Sequence, residues 1–246
     1  MSSHTEEGDE VSEGPVLVVG ATGRTGRLIV DRLVERDVSV RALVRDAVKG
    51  LEVLPTEVSQ YVGDVRRSET LKEPIAGARA MIIATSSSAN HGNEAEAVDY
   101  FGTCHLIEQA AAADVKWVVF ISSIHATRPE HYQDVEPTSL GWKARAEEAI
   151  RSSGMPYCIV RPGWLTDGPG GEPLAVSQGD AVEGRISRAD LADVCAQLVF
   201  LPAAIGKTFE VIASPAGEKS SLASAVAALE PDAEGRRREP SATHRP

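Results

Sequence analysis

Three glycines, Gly20, Gly23 and Gly26, stand three residues apart between two apolar runs in VLVVGATGRTGRLIV (16–30). Between a strand and a helix, the first such glycine allows a sharp turn. The second lets the backbone approach a phosphate, and the third lets the helix pack on the strand. The start of the helix then offers free N–H groups to an anion. A plain structural turn is the alternative, because the spacing is not G-x-G-x-x-G. The predicted phosphate-binding residues are Gly20, Thr22, Gly23, Arg24, Thr25 and Gly26.

Two arginines indicate which dinucleotide is bound. Arg24 follows Gly23, and Arg45 follows the second predicted strand, where NAD-binding proteins usually carry an acidic residue. Two guanidinium groups suit a ribose 2′-phosphate, which they bind in a bidentate manner. The sequence therefore predicts NADP(H) over NAD(H). The alternatives are solvated surface charges, or an Arg45 that pairs with Asp46.

The ends of the third and fourth predicted strands supply further cofactor candidates. Asp64, in VGDV, is a candidate acceptor for the adenine amino group or a cap for the following turn. The fourth strand ends in ATSSS, whose backbone and hydroxyl groups are expected to face the nicotinamide half. These additional candidates are Asp64, Val65, Ala84, Thr85 and Ser86.

Strand-like and helix-like segments alternate along the chain. Nearly continuous apolar runs predict buried strands at 15–21, 38–44, 58–64, 79–85, 116–123, 156–162 and 207–213. Helical periodicity predicts helices at 24–35, 94–113, 140–153 and 188–201. Ser187, with Asp190 three residues later, is a predicted cap of the last helix. This order predicts an α/β, Rossmann-type doubly wound parallel sheet of about seven strands, with helices on both faces and a small substrate cap at the C-terminal end.

Composition predicts one domain and limits which partners and which cellular compartment are expected. The chain has 246 residues, and we expect one NAD(P)-binding domain at 14–230 between a flexible acidic tail (1–13) and a disordered tail (231–246). The net charge of −11 argues against nucleic-acid and anionic-membrane partners. No apolar run approaches the roughly 18 residues of a membrane span, and no secretory signal is visible. Three scattered cysteines predict a cytoplasmic protein without a metal site.

Six stretches carry a family resemblance: GATGRTGR, VGDV, AVDYFGTCHLIEQA, VVFISSI, WKARAEEAIRSSGMPYCIVRPGWLTDGPGG and RISRADLADV. Over about residues 15–213 the chain resembles the atypical short-chain dehydrogenase/reductases, in their NAD(P)H-binding, NmrA-like and flavin-reductase-like branch. The resemblance implies a Rossmann fold and NADP without a metal. It leaves the activity open among quinone, flavin or carbonyl reduction, epimerisation, and cofactor sensing without turnover.

The resemblance also implies catalytic positions, one of which departs from the pattern. Typical relatives carry a Tyr four residues before a Lys; here Ser139 precedes Lys143. A serine hydroxyl is a much weaker acid, so the proton comes from another group or is not needed. Ser122 is then a cofactor contact and Ser123 a substrate contact, while Lys143 holds the nicotinamide ribose. Alternatively, Lys143 only pairs with Glu147 one turn later.

The loop HATRPEHYQDVEPTS (125–139) supplies replacement proton donors. His125 follows Ser123 closely, and histidine is a residue type that commonly serves as a general acid or base. Tyr132 replaces the missing tyrosine if the loop folds back. Alternatively, His125 is a polar loop residue without a catalytic role, and Tyr132 only packs against neighbouring side chains.

The substrate side is predicted from RPGWLTDGPGG, after the sixth strand. Pro162 and Gly163 are expected to line the nicotinamide. Trp164 and Leu165 form an apolar substrate wall or belong to the core. His91 follows the fourth strand on the same side, as a substrate contact or a surface histidine.

The sequence supports two main functions. The first is an NADP(H)-dependent oxidoreductase that transfers hydride to or from a small carbonyl, imine or quinone-like substrate. The second is a non-catalytic NADP-binding redox-sensing regulator. An epimerase or dehydratase that reuses bound cofactor is a third, with Asp134 or His125 as its base. The expected partner is a small molecule, and the chain is a monomer or a homodimer.

Overall fold

The computed structural model describes residues 14–87, 95–128, 139–214 and 221–233. Eight strands form one sheet in the order β3-β2-β1-β4-β5-β6-β10-β8, parallel except for β8, which runs antiparallel to β10. A parallel two-stranded sheet joins β7 to β9. The strands are β1 (Val16–Val19), β2 (Val40–Val44), β3 (Ser59–Val62), β4 (Ala80–Ile83), β5 (Trp117–Ile121), β6 (Tyr157–Pro162), β7 (Trp164–Thr166), β8 (Leu174–Ser177), β9 (Arg185–Ser187) and β10 (Lys207–Ala213).

Helices cover both faces of the large sheet. They are α1 (Arg24–Val34), α2 (Ala47–Val53), α3 (Lys72–Ile75), α4 (Gly102–Ala112), α5 (Ser139–Ser152), α6 (Arg188–Leu198) and α7 (Leu222–Ala227). A π-helical segment, Glu96–Phe101, leads into α4. None of the described helices is long and apolar enough to cross a bilayer.

The central strand β1 shows why the sheet is covered twice. All four of its residues are buried, and successive side chains point to opposite faces. Val16 and Val18 join an apolar cluster with Ile29 and Leu33 of α1. The alternate residues of β1 join a second cluster, with α4 and α5, on the other face. Continuous apolar strands therefore specify a two-sided core.

The predicted architecture is confirmed. A strand lies within each of the seven predicted segments, and a helix overlaps each of the four predicted helical segments, α5 beginning one residue before its predicted start. The sequence analysis missed the short elements α2, α3, α7, β7, β8 and β9. Two of these, β7 and β9, form the small sheet beside the end of β6.

The glycine turn adopts the predicted geometry at its first and third positions. Gly20 has φ +84°, and an added Cβ would lie 2.8 Å from the Ala84 carbonyl oxygen. A Cβ on Gly26 would lie 2.1 Å from the Gly20 oxygen. Only glycine at position 26 therefore lets α1 begin directly behind β1.

The C-terminal end of the described chain is anchored to the sheet. Asp232 accepts hydrogen bonds from the Thr208 N–H (3.0 Å) and the Tyr157 hydroxyl (2.9 Å). The fold therefore extends past residue 230, where the predicted tail starts. Residues 1–13 and 234–246 lie outside the described ranges.

Gly26→Ala is expected to destabilise the protein by about 1–3 kcal/mol, because the methyl group overlaps backbone. Alanine's better helix propensity, about 1 kcal/mol, offsets only part of this cost. Urea unfolding measures the change. Gly168→Ala is the control, since its Cβ would have no neighbour closer than 3.8 Å; equal effects for the two variants would contradict the close contact.

Candidate functional site

A cavity of about 550 Å³ opens at the carboxyl ends of β1 to β4. This is where the switch in strand order of a doubly wound sheet places ligands. Most of the predicted cofactor residues line it: Gly20, Thr22, Gly23, Arg24, Thr25, Arg45, Asp64, Val65, Ala84, Thr85 and Ser86. Lys49, Ser87, Val98 and Arg188 also line the cavity, and the sequence analysis had not assigned them to it.

The start of α1 fits a phosphate group. Gly23 is its N-cap and provides no side-chain hydrogen bond, and the first turn contains no acidic residue. The first N–H groups of α1 therefore keep their capacity to donate to an anion. A Cβ on Gly23 would contact only the Gly20 oxygen, at 3.1 Å. The cavity side of the turn is thus open to a close backbone approach, as pyrophosphate binding requires.

Two cations mark the end of the cavity beside β2. Arg45 and Lys49 both line it. Asp46 caps α2 instead, accepting hydrogen bonds from the N–H groups of Val48 (2.9 Å) and Lys49 (3.2 Å). The structure therefore does not support the alternative in which Asp46 pairs with Arg45. Lys49 follows Arg45 by four residues in the sequence, but only the fold shows that both side chains line the cavity.

The carboxylate of Asp64 is engaged by Arg66. It accepts hydrogen bonds from the Arg66 N–H (3.0 Å) and from the Arg66 guanidinium (3.0 and 3.1 Å). These bonds lower the pKa of Asp64, although burial opposes them. Of the two predicted roles, the turn cap is present. The adenine contact stays a prediction.

Lys143 is buried beside the end of β5. Its Nζ donates a hydrogen bond to the Ile121 carbonyl oxygen at 3.1 Å. It has no hydrogen bond or ion pair with Glu147 among the described residues; that carboxylate instead accepts from Arg161 and Arg151. Burial lowers the pKa of Lys143, and the negative charges of Asp99 and Glu147 partly oppose this effect.

Ser122 carries an unused polar group at the same strand end. Its N–H donates to the Val160 oxygen at 2.8 Å, but its buried hydroxyl has no hydrogen-bond partner among the described residues. A buried hydroxyl without a partner costs free energy unless a ligand or a water satisfies it. Ser123, next in sequence, is partly exposed. The predicted cofactor and substrate roles of the two serines stay predictions.

His125 lies in a strained loop held by Asp180. Both residues are buried and both have positive φ, +65° and +55°. Asp180 accepts hydrogen bonds from the N–H groups of His125 (2.6 Å) and Thr127 (2.8 Å) and from the Thr127 hydroxyl (2.8 Å). Burial alone would raise the pKa of Asp180, but the hydrogen bonds and the charge of Arg161 lower it overall. Strain held this firmly is a feature of functional loops.

The imidazole of His125 faces the small sheet rather than the cofactor cavity. Its Nε2 lies 3.1 Å from Glu183 Oε1, and its ring centroid is 6.4 Å from that of Trp164. It does not line the cavity described above. Its predicted role as proton donor stays a prediction.

The substrate wall divides into exposed and buried parts. The exposed fractions of Trp164 and Leu165 are 57% and 36%, so neither belongs to the core, and Leu165 lines the cavity. Pro162 and Gly163 are buried at the end of β6 and do not line it. A Cβ on Gly163 would lie 2.6 Å from the Gly184 oxygen, so this glycine lets β6 pack against the chain entering β9. Its nicotinamide contact stays a prediction.

Two predicted site residues, His91 and Tyr132, lie outside the described residues, as does Asp134. Asp99, which the sequence analysis missed, is buried in the π-helical segment and accepts hydrogen bonds from the N–H (3.2 Å) and hydroxyl (2.8 Å) of Ser87. Within the described ranges no three His, Cys, Asp or Glu side chains are arranged to hold a metal. The prediction of a metal-free site stays a prediction.

The fold and the cavity define a dinucleotide-binding protein of the Rossmann type. A family model described as NAD(P)H-binding matches residues 20–202. The chain therefore belongs to this NAD(P)H-binding family. This finding confirms the family resemblance drawn from the sequence motifs.

Individual relatives agree with this assignment. An uncharacterised chloroplastic protein of Arabidopsis thaliana is 33% identical over 82% of this chain and 70% of its own length. Sanguinarine reductase of Eschscholzia californica is 28% identical over 82% of this chain and 90% of its own length. The solved structure of the oxidoreductase ylbE of Lactococcus lactis superposes with a TM-score of 0.74 at 24% identity, covering 87% of this chain and 96% of that one. That structural match supports the fold alone.

Asp180→Asn is expected to cost about 3 kcal/mol of unfolding free energy at neutral pH, because buried donors of the His125 loop lose a charged acceptor. The lowered pKa of Asp180 makes its contribution complete above the ordinary value of 3.8. That contribution is lost as the pH falls below it. Urea unfolding at several pH values should therefore show wild type and variant converging in acid.

Asp114→Asn is the matched control for that experiment. Asp114 also has positive φ (+58°), but its side chain is 88% exposed. Its substitution is expected to change stability by less than about 0.5 kcal/mol. A pH-independent difference for Asp180→Asn would show that its charge is not what holds the loop.

Proposed function

We propose that the protein is an NADP(H)-dependent oxidoreductase that transfers hydride between the nicotinamide and a small quinone-like, imine or carbonyl substrate. The observation that carries the proposal is the cavity itself. It combines the uncapped start of α1 with Arg45 and Lys49 at one end and the exposed apolar side chain of Leu165 at the other. The similarity to a reductase over 82% of the chain supports the oxidoreductase class.

The preference for NADP(H) is supported at the end of β2. An NAD-binding site usually presents a carboxylate here to the ribose hydroxyl groups. In this chain the carboxylate that follows β2 in sequence, Asp46, is occupied as the cap of α2. Two cations line the cavity in its place, and cations favour a 2′-phosphate.

The residues divide the work of a hydride transfer. When bound, the dinucleotide supplies or accepts the hydride. Gly23 and the start of α1 bind its phosphates, Lys143 holds the ribose, and the hydroxyl groups of Ser122 and Ser123 orient polar atoms of cofactor and substrate. Trp164 and Leu165 cover one face of the substrate and exclude water.

The serine at position 139 favours acceptors that need no strong acid. Hydride addition to a cationic carbon–nitrogen double bond gives a neutral amine, and no proton is required. Hydride addition to a quinone gives a hydroquinone anion, which takes its proton from water or from His125. Simple ketones form an alkoxide and depend on an acid within the site, so they are the least suited substrates.

A non-catalytic NADP-binding regulator is the second candidate. The missing tyrosine favours it, as does the hydrogen bond that already occupies Lys143. Net consumption of NADPH separates the two. An epimerase or dehydratase would return the cofactor unchanged, so the same measurement distinguishes it from the oxidoreductase.

We propose a reducing compartment such as the cytoplasm, and a monomer or homodimer without nucleic-acid or membrane partners. All three cysteines are free thiols. Burial raises the pKa of Cys158 and Cys195. Both thiols are therefore poor nucleophiles that behave as core residues.

Replacing the two cavity cations beside β2, Arg45→Gln with Lys49→Gln, is expected to weaken NADPH binding about tenfold or more, or about 1.4 kcal/mol. NADH binding should stay within twofold, since NADH has no 2′-phosphate. Titration followed by cofactor fluorescence measures both dissociation constants. Arg67→Gln, an exposed arginine outside the cavity lining, is the control. Wild-type protein that binds both cofactors equally would contradict the NADP preference.

Lys143→Met is expected to lower kcat/KM for NADPH-dependent quinone or iminium reduction about 100-fold, because a misplaced nicotinamide ribose spoils the transfer geometry. Ser139→Ala should stay within twofold of wild type. NADPH absorbance over a panel of quinones, iminium ions and ketones provides the measurement. Turnover by no member of the panel would favour the regulator, and a large loss in Ser139→Ala would make this serine the proton donor.

A further inference from the structure

Arg188 borders the cofactor cavity, although it belongs to the helix that follows the small sheet. It is the first residue of α6 and its side chain is only 10% exposed. Its Nη1 lies 2.6 Å from Asp167 Oδ1, the one hydrogen bond of this side chain among the described residues. A guanidinium has five N–H donors. Most of the hydrogen-bonding capacity of Arg188 is therefore left for a ligand in the cavity that it lines.

A second arginine contacts the same carboxylate. Arg24 is the first residue of α1, and its Nη1 lies 3.4 Å from Asp167 Oδ2. The side chains of Arg24 and Asp167 are 69% and 67% exposed. An ion pair this open to water contributes little to stability. A stronger anion can therefore displace the carboxylate from Arg24 at a small cost.

The two helices bring these arginines to one place. Ile29 of α1 and Leu191 of α6 belong to the same apolar cluster. Arg36, just after α1, forms an ion pair with Asp193 in the middle of α6. The Ser187 side chain caps α6, accepting from the Asp190 N–H at 2.9 Å, whereas α1 has no side-chain cap. The start of α1, unlike that of α6, therefore has free N–H groups that can bind an anion.

We infer that Arg188 is a further cofactor-binding residue, which joins Arg24 and the start of α1 in binding the pyrophosphate. Asp167 is the exchangeable counterion that neutralises both arginines before the cofactor enters. The inference rests on the proposed dinucleotide binding. A pyrophosphate carries more charge and more acceptor atoms than one carboxylate, so it satisfies two guanidinium groups better.

The exchange also links the cofactor to the substrate wall. Asp167 directly follows β7, whose residues include Trp164 and Leu165. Release of the carboxylate therefore removes the side-chain contacts of the residue next to this wall. In this arrangement Arg24 serves the pyrophosphate instead of the 2′-phosphate expected from the sequence, and Arg45 and Lys49 serve the 2′-phosphate end. The contribution of Arg188 is therefore the same for both nicotinamide dinucleotides.

Dissociation constants for NADPH and for NADH, measured by cofactor fluorescence without any substrate, test the inference. Arg188→Gln is expected to weaken binding of both about tenfold. Asp167→Asn is expected to strengthen both at least threefold, because the competing charge is gone. Arg185→Gln, at an exposed position of β9, and Asp193→Asn, a half-buried α6 carboxylate that pairs with Arg36 outside the cavity lining, are the matched controls and should leave both constants unchanged. Arg188→Lys should recover part of the affinity.

The outcomes separate the alternatives. Unchanged affinities in Arg188→Gln overturn the inference, as does weaker binding in Asp167→Asn, which would make the ion pairs merely structural. A loss confined to NADPH would assign Arg188 to the 2′-phosphate and overturn the pyrophosphate assignment. Asp167 is exposed, so its variant tests the inference even if Arg188→Gln fails to fold. Binding without turnover would remove only the oxidoreductase proposal, and wild-type protein that binds neither cofactor would remove both.

Discussion

The buried guanidinium of Arg161 joins the elements on which the substrate half of the molecule depends. From β6 it donates to both carboxylate oxygens of Glu147 on α5, at 2.9 and 2.6 Å, and to Glu210 on β10 at 3.2 Å. Its Nη1 also lies 3.9 Å from Asp180. Loss of one partner from such a buried set costs about 3–5 kcal/mol, because it leaves an uncompensated charge in the core.

This network determines where the candidate catalytic groups stand. Glu147 fixes α5 against the sheet, and α5 carries Lys143 one turn earlier. Asp180 fixes the loop of His125 through backbone hydrogen bonds. Arg161 therefore fixes the positions of both Lys143 and His125. It holds the helix that carries Lys143 through Glu147, and it lies beside Asp180, which holds the loop that carries His125. The same engagement explains why Glu147 does not neutralise Lys143 and why that lysine is stabilised by a carbonyl oxygen instead.

The sequence predicted most of the residues that line the cavity, because the signals for them are local. The glycine spacing, the apolar runs and Arg45 all lie within segments whose conformation their own residues dictate. The substrate half depends on pairs far apart in the chain. Asp180 meets His125 across 55 positions, and Arg161 meets Glu210 across 49. No sequence spacing predicts contacts between residues this far apart, so these contacts can be recognised only in the folded structure.

Short elements were hidden for a related reason. The strands β7 and β9 have three residues each, too few for an alternating pattern to be recognised. Arg188 directly follows the cap residue Ser187, so the sequence pattern indicates no more than a helix start at this position. Its second role became visible when the packing of α6 on α1 placed it beside the glycine turn. Lys49 is similar, since a lysine on a short helix carries no signal until the sheet orders its neighbours.

The separation of the two sheets has an evolutionary consequence. The wall formed by β7 and β9 hydrogen-bonds within its own small sheet, while most residues that line the cavity follow the strands β1 to β4 of the large one. Away from Asp167 and Arg188, substitutions and insertions can therefore accumulate in the small sheet without disturbing the glycine turn. A lineage built on this plan can acquire new substrates by changing the small sheet while it keeps the same dinucleotide-binding cavity.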